Sequence, residues 1–217
     1  MMSGIEIRNV DDLDVPEDKF GISMLFCGST RSGKTTLLNY MWASHFIRHI
    51  TVLMSNSLQS GAYGYLKKHT VKSDLYHPEL LKEMYQINHA TQNHYKFCAI
   101  LDDLTHIKND KEYMRLLTIY RNSRICGMIS AQGISMFNKT CRGNINFVFL
   151  MRMNSDAEIE KVIKEYLISH YPKDMNLSEK ITLYRRETED HWFYAIDNIN
   201  GKIFRSKLRP EQLIVDD

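Results

Sequence analysis

The chain has 217 residues, enough for one sizeable core and short for two. Its 28 basic and 26 acidic residues leave a net charge of +2, so bulk charge gives no argument for a nucleic-acid partner, and any DNA contact needs a local basic patch. No apolar run approaches the roughly 18–20 residues of a membrane span, and the first ten residues hold no apolar core of a secretory signal, so neither is expected.

Residues 1–20 are polar and read as a lead segment with a short strand at Ile5–Ile7. Residues 22–27 are an apolar strand that runs into Gly28-Ser29-Thr30-Arg31-Ser32-Gly33-Lys34-Thr35. Leu37, Leu38, Met41, Trp42, His45 and Phe46 fall at helical spacing, which predicts a helix over 34–48. Residues 50–54 read as a second strand. Residues 55–77, rich in Ser, Asn and Gly, read as loop with a short helix near 63–68. Pro78 suits a helix start, and Leu80, Leu81, Met84, Tyr85 and Ile87 continue it.

A third strand is expected over 97–101, a helix over 109–121 and further strands over 125–131 and 145–150. Ser155 and Glu158 have the spacing of a capping box ahead of a helix carrying Ile159, Val162, Ile163, Tyr166 and Leu167. In the tail, 181–184, 191–196 and 202–204 read as strands, and Asn198-Ile199-Asn200-Gly201 as a hairpin turn. Alternating strands and helices predict one three-layer α/β domain over 1–217, with a mainly parallel central sheet. Antiparallel edge strands come from a β extension over 178–207, and the strand-end loops gather on one rim.

The Gly28–Thr35 loop is a complete phosphate-binding loop, and the chain is expected to bind ATP and Mg²⁺ in a P-loop NTPase fold. Gly28 and Gly33 let the backbone turn close to phosphate oxygens. The N–H groups of Ser29, Thr30, Arg31, Ser32, Gly33, Lys34, Thr35 and Thr36 form an anion nest at a helix N-terminus. Lys34 brings a charge to the β- and γ-phosphates, and the Thr35 hydroxyl is a Mg²⁺ ligand. Five apolar residues precede Asp102-Asp103, and two carboxylates at the end of a buried strand need a partner. Asp102 is assigned to Mg²⁺. Asp103, pointing the other way along a strand, is assigned to the attacking water. Gln132 ends the next strand and is a candidate γ-phosphate sensor; the plainer reading is a polar residue leaving a strand. Arg121, Arg124 and Arg142 are candidate transition-state arginines, with Arg121 preferred.

The four cysteines form no C-x-x-C pair and read as buried free thiols, which argues against a zinc site. His45 and His49 lack the Glu a zinc protease needs and read as structural. Lys67-Lys68-His69 and Arg185-Arg186 are candidate DNA-backbone contacts or ordinary solvated faces.

The loop, the Asp-Asp strand and Arg121-Asn-Ser-Arg-Ile-Cys-Gly-Met-Ile-Ser-Ala-Gln132 together resemble the FtsK–HerA superfamily. Arg142-Gly-Asn144-Ile-Asn146 and the following 147–152 resemble the poxvirus-type genome-packaging ATPases of double-stranded DNA viruses. The resemblance covers roughly 20–165. It implies a homo-oligomeric ring that hydrolyses ATP and drives double-stranded DNA through its pore into a capsid. An arginine from the neighbouring subunit would complete each site. A capsid or vertex protein is the implied partner, and the host-cell assembly site or virion the implied location. Asp103 stands where the family usually has Glu. The rival readings are a translocase outside packaging, a small-molecule phosphotransferase and an ATP-gated assembly protein.

Overall fold

The computed structural model describes residues 5–16, 20–60, 62–63, 66, 70–104, 107 and 110–213. The strands are β1 (Ser23–Cys27), β2 (Ile50–Ser55), β3 (Val71–Ser73), β4 (Phe97–Asp102), β5 (Ile125–Ala131), β6 (Phe147–Leu150), β7 (Phe193–Asp197) and β8 (Lys202–Ser206). They form one sheet in the order β3-β2-β4-β5-β1-β6-β7-β8. Every pairing from β3 to β6 is parallel, and β7 and β8 add as an antiparallel hairpin. The expected mainly parallel sheet with antiparallel C-terminal edge strands is what the chain forms.

The alternation of strand side chains divides the core in two. Met24 and Phe26 of β1 face a cluster with Leu37, Leu38, Met41 and Trp42 of α1 (Lys34–His45). Leu25 and Cys27 face the opposite cluster, built with α2 (Pro78–Ala90), α3 (Lys111–Thr118), α5 (Asp156–Val162) and α6 (Leu177–Glu187). A short helix, α4 (Lys139–Arg142), follows β5. Central strands buried on both faces read as continuous apolar runs, which is why 97–101 and 125–131 were visible in the sequence.

Several sequence expectations are corrected. Residues 181–184 are helical, not a strand, so the 178–207 extension begins with α6 and only then turns to β7 and β8. Asn176 and Glu179 cap α6 reciprocally, and Leu183, Tyr184 and Glu187 are buried on one side of it. At Ser155 the cap is one-sided. Its hydroxyl accepts from Glu158 N, but the Glu158 carboxylate accepts from Ser135 N (3.1 Å) and Lys161 (3.0 Å) instead. The 55–77 stretch contains β3, an exposed three-residue edge strand, and a 3-10 turn at Leu58–Ser60. Much of the expected 63–68 helix lies outside the described residues, as does Lys67-Lys68-His69.

The lead segment is part of the core. Val10, Leu13 and Val15 are buried beside α1, and Ile7 bridges Arg205 of β8 rather than forming a full strand. Gln212 donates to Asp11 and to Tyr40 of α1, so both ends of the chain clasp that helix. All four cysteines are free and buried, and burial pushes the Cys27, Cys98 and Cys126 thiols up, Cys126 to about 11.

Gly21 enters β1 where its neighbours allow no side chain. A Cβ there would lie 2.0 Å from the Ile125 carbonyl oxygen and 2.9 Å from Arg121 Cα, both backbone. Gly21→Ala must therefore push β1 from β5, and a loss of about 1–3 kcal/mol is expected in urea unfolding.

Candidate nucleotide-binding site

The carboxyl ends of β1, β4, β5 and β6 lie on one rim, which brings 28–34, Asp102-Asp103, Gln132 and 151–154 together. The loop from β1 to α1 is shaped by two glycines for different reasons. Gly33, the residue before α1, has φ 97°, a left-handed conformation that favours glycine. Gly28 is needed for packing: a Cβ would meet Ser32 Oγ at 2.7 Å and Met151 Cβ at 2.9 Å. That is a contact within the protein, distinct from the phosphate clearance inferred from the sequence. Arg31 is exposed at the loop tip with φ 63°. Ser29 ties the loop to the segment after β6: its N–H donates to Arg152 O (2.8 Å) and its hydroxyl accepts from Asn154 N (2.9 Å).

Lys34 Nζ donates to the carbonyls of Gly28 (2.8 Å) and Ser29 (2.9 Å), which curls the side chain over the loop. Burial holds its pKa below the ordinary 10.5, while the charges of Asp102 and Asp103 act the other way. Both carboxylates are thus near enough to be felt by the ammonium.

Asp102 is 1% exposed and is the centre of the site. It accepts hydrogen bonds from Thr35 Oγ1 (3.0 Å), from the Tyr63 hydroxyl and from the Ser130 hydroxyl. Thr35 begins α1, Ser130 lies on β5, and Tyr63 comes from the segment after β2. A buried carboxylate is thereby satisfied by three hydroxyls, and the oxygen-only set fits a hard cation such as Mg²⁺. The sequence pairing of Thr35 with Asp102 is met in space. Tyr63 and Ser130 were missed. Ser130 could have been suggested by alternation along β5, two residues before Gln132; Tyr63 carries no sequence signal. Burial, with the Asp102 charge beside it, keeps the Tyr63 phenol protonated.

Asp103 departs from the expected strand geometry. The strand ends at Asp102, and Asp103 turns with φ 57° into the left-handed region. Its N–H donates to Ser130 Oγ (3.1 Å), and its carbonyl accepts from Asn56 Nδ2 (3.1 Å). The turn is fastened on both sides, which is what allows a strained backbone to persist there. Gln132 is exposed at the end of β5 in a cleft of about 460 Å³ shared with Ser29, Thr30, Asn154 and Glu158.

The three arginines fare differently. Arg121 precedes β5 and its carbonyl accepts from Gly21 N (2.6 Å), which puts it on the opposite rim. One seven-residue strand, about 20 Å, separates it from the phosphate loop, so it cannot serve this chain's own site. Arg124 is on that far rim too, donating to Asn93 O (3.2 Å). Arg142 is bound to Glu165 (2.8 Å) and to Phe137 O (2.6 Å). Arg185 pairs with Asp156 (2.5 Å).

No protein-family model and no curated protein matches the chain. Solved structures do. The genome packaging NTPase B204 from Sulfolobus turreted icosahedral virus 2, in complex with AMP, aligns with TM-score 0.64 at 12% identity over 88% of this chain and 99% of that one. The fold is that of a P-loop NTPase. The pCW3 conjugation coupling protein TcpA, a monomer form with ATPγS, gives 0.62 at 11% identity over 94% and 69%. EssC (ATPases 2 and 3) from Geobacillus thermodenitrificans gives 0.58 at 12% over 92% and 41%. At these identities the likeness is one of fold. Among the described residues no helix is long and apolar enough to cross a membrane.

Ser130 both donates to Asp102 and receives the Asp103 N–H. Ser130→Ala removes both bonds, and urea unfolding should show a loss of roughly 1–3 kcal/mol.

Proposed function

We propose that the chain is an ATP-hydrolysing motor of the poxvirus-type genome-packaging class, within the FtsK–HerA superfamily, and that it drives double-stranded DNA into a viral capsid. The observation that carries the reading is the Thr35–Asp102 hydrogen bond beneath a Lys34-bearing phosphate loop, on a chain that spans almost the whole length of a genome packaging NTPase. B204 has been solved with AMP, ATPγS and AMPPCP, which supports a nucleotide ligand here.

In this reading the N–H groups of 29–36 and the start of α1 hold the phosphates. Lys34 leaves the loop carbonyls for the β- and γ-phosphates. Thr35 and Asp102 would hold Mg²⁺, which would supply neutralisation of phosphate charge. Asp103, fixed by its turn, accepts the proton of the attacking water, and Gln132 contacts the γ-phosphate side. Because Arg121 lies on the far rim, it can act only on a neighbour's site. That requires head-to-tail packing of subunits, which closes into a ring when the rotation between copies returns to the start, and the ring's pore would carry the DNA. DNA would be gripped by its phosphates without sequence preference. The partners are DNA, further copies of the chain and a capsid or vertex protein, at the host-cell assembly site or in the virion.

A second reading, a DNA translocase or helicase outside packaging, would use the same site residues; the fold likeness to TcpA, a conjugation coupling protein and not a packaging NTPase, supports keeping it.

Steady-state ATP hydrolysis, titrated in protein with and without long duplex DNA, tests the proposal. Activity should rise faster than linearly with protein and respond to DNA. Strict linearity with no DNA response would contradict a ring motor. Asp103→Asn should retain ATP binding and lose at least a hundredfold in turnover. Normal turnover in that variant would remove Asp103 as the base. Dependence on empty capsids separates packaging from other translocation.

A further inference from the structure

We propose that the cleft between the phosphate loop and the β7–β8 hairpin is the nucleobase subsite, with His191 as the ring that covers the base. The proposal rests on the phosphate-site reading above. The cleft has a volume of about 230 Å³. Its walls include Gly33, Thr36, Met151, His191, Phe193 and Leu208, with Lys207 at its mouth. Among the described residues no carboxylate lines it, and Lys207 is the charged side chain that does.

The placement follows from sheet order. β5 and β4 lie on one side of β1 and carry Gln132 and Asp102. β6 and β7 lie on the other. Thr35 turns its hydroxyl to Asp102, whereas Thr36, one helical step on, lines the cleft. A triphosphate whose terminal group meets Lys34, Asp102 and Asp103 therefore directs its other end across Thr36 toward β7. An apolar slot is what an aromatic base needs at that end.

A second observation concerns His191 itself. Asp190 and His191 have φ 50° and 64°, two successive non-glycine residues in the left-handed region. Such strain persists where the surroundings impose it and gathers at ligand sites. Here it holds the exposed imidazole over the phosphate loop, with Nδ1 3.4 Å from Ser32 O. Phe193, 2% exposed, gives the slot a rigid floor. It meets Phe149 edge-on at 6.0 Å, and Phe149 stacks on Phe26 at 4.9 Å. The pairing of Phe193 with Ser206 places Lys207 and Leu208 at the same rim. The antiparallel hairpin thus builds the wall of the slot.

Calorimetric titration of the full chain with Mg²⁺–ATP and with Mg²⁺–tripolyphosphate, which lacks base and ribose, tests this. The unaltered chain should bind ATP the more tightly. His191→Ala should weaken ATP about tenfold and leave tripolyphosphate unchanged, and His191→Phe should restore ATP binding. Leu208→Trp, which fills the slot without touching the strained turn, should repeat the selective loss. Equal affinity of the unaltered chain for both ligands would overturn the subsite and leave the phosphate site standing. So would equal proportional losses of both ligands in the variants. Binding of neither ligand to the unaltered chain would overturn the phosphate-site reading and the subsite with it.

Discussion

Asp102 is a charge placed where water does not reach, at the end of a strand whose every residue is buried. Such a group destabilises the fold unless its oxygens are occupied. Three hydroxyls occupy them, and each belongs to a different part of the site. Thr35 brings the first turn of α1 and so the phosphate loop. Ser130 brings β5 and, through its bond from the Asp103 N–H, the left-handed turn beyond β4. Tyr63 brings the segment after β2. The loop Gly28–Thr35, the carboxylate proposed for the metal and the proposed base are registered against one another through this one side chain.

The rest of the rim is organised around that centre in two directions. Toward β5 lie Gln132 and the cleft lined by Ser29, Asn154 and Glu158. Glu158 holds the loop after β5 through Ser135, and the segment after β6 holds Ser29. Toward β7 lies the apolar slot under His191. The two sides differ in chemistry, polar toward β5 and largely apolar toward β7, which is what the proposed reacting and base-holding ends of a nucleotide would need.

The sequence made the centre of this arrangement legible and its support much less so. The loop Gly28–Thr35 and Asp102 could be placed because each needs a fixed residue type at a fixed point of a strand or helix end. Central strands were legible because burial on both faces leaves an unbroken apolar run. Tyr63 was not, since its hydroxyl meets a carboxylate 39 residues away in the chain, which no local spacing records. Residues 181–184 looked like a strand because four residues cannot distinguish the two periods; the Asn176–Glu179 cap was the signal that decides it. Glu158 had the right spacing for a reciprocal cap, but a long-range partner at Ser135 took its carboxylate. Arg121 stands out in the sequence for its approach to β5, and strand direction puts it on the rim away from its own site, so only a role in a neighbouring copy is open to it. Asp103 shows the limit of strand alternation, because the strand stops one residue earlier.

The most direct measurement is ATP affinity with and without Mg²⁺, by calorimetry, for the unaltered chain and for Asp102→Asn. The account predicts that Mg²⁺ tightens ATP binding in the unaltered chain and that this gain disappears in Asp102→Asn, while metal-free ATP binding survives. An equal Mg²⁺ gain in both proteins would contradict it, since Asp102 would then not be the residue that joins metal and nucleotide.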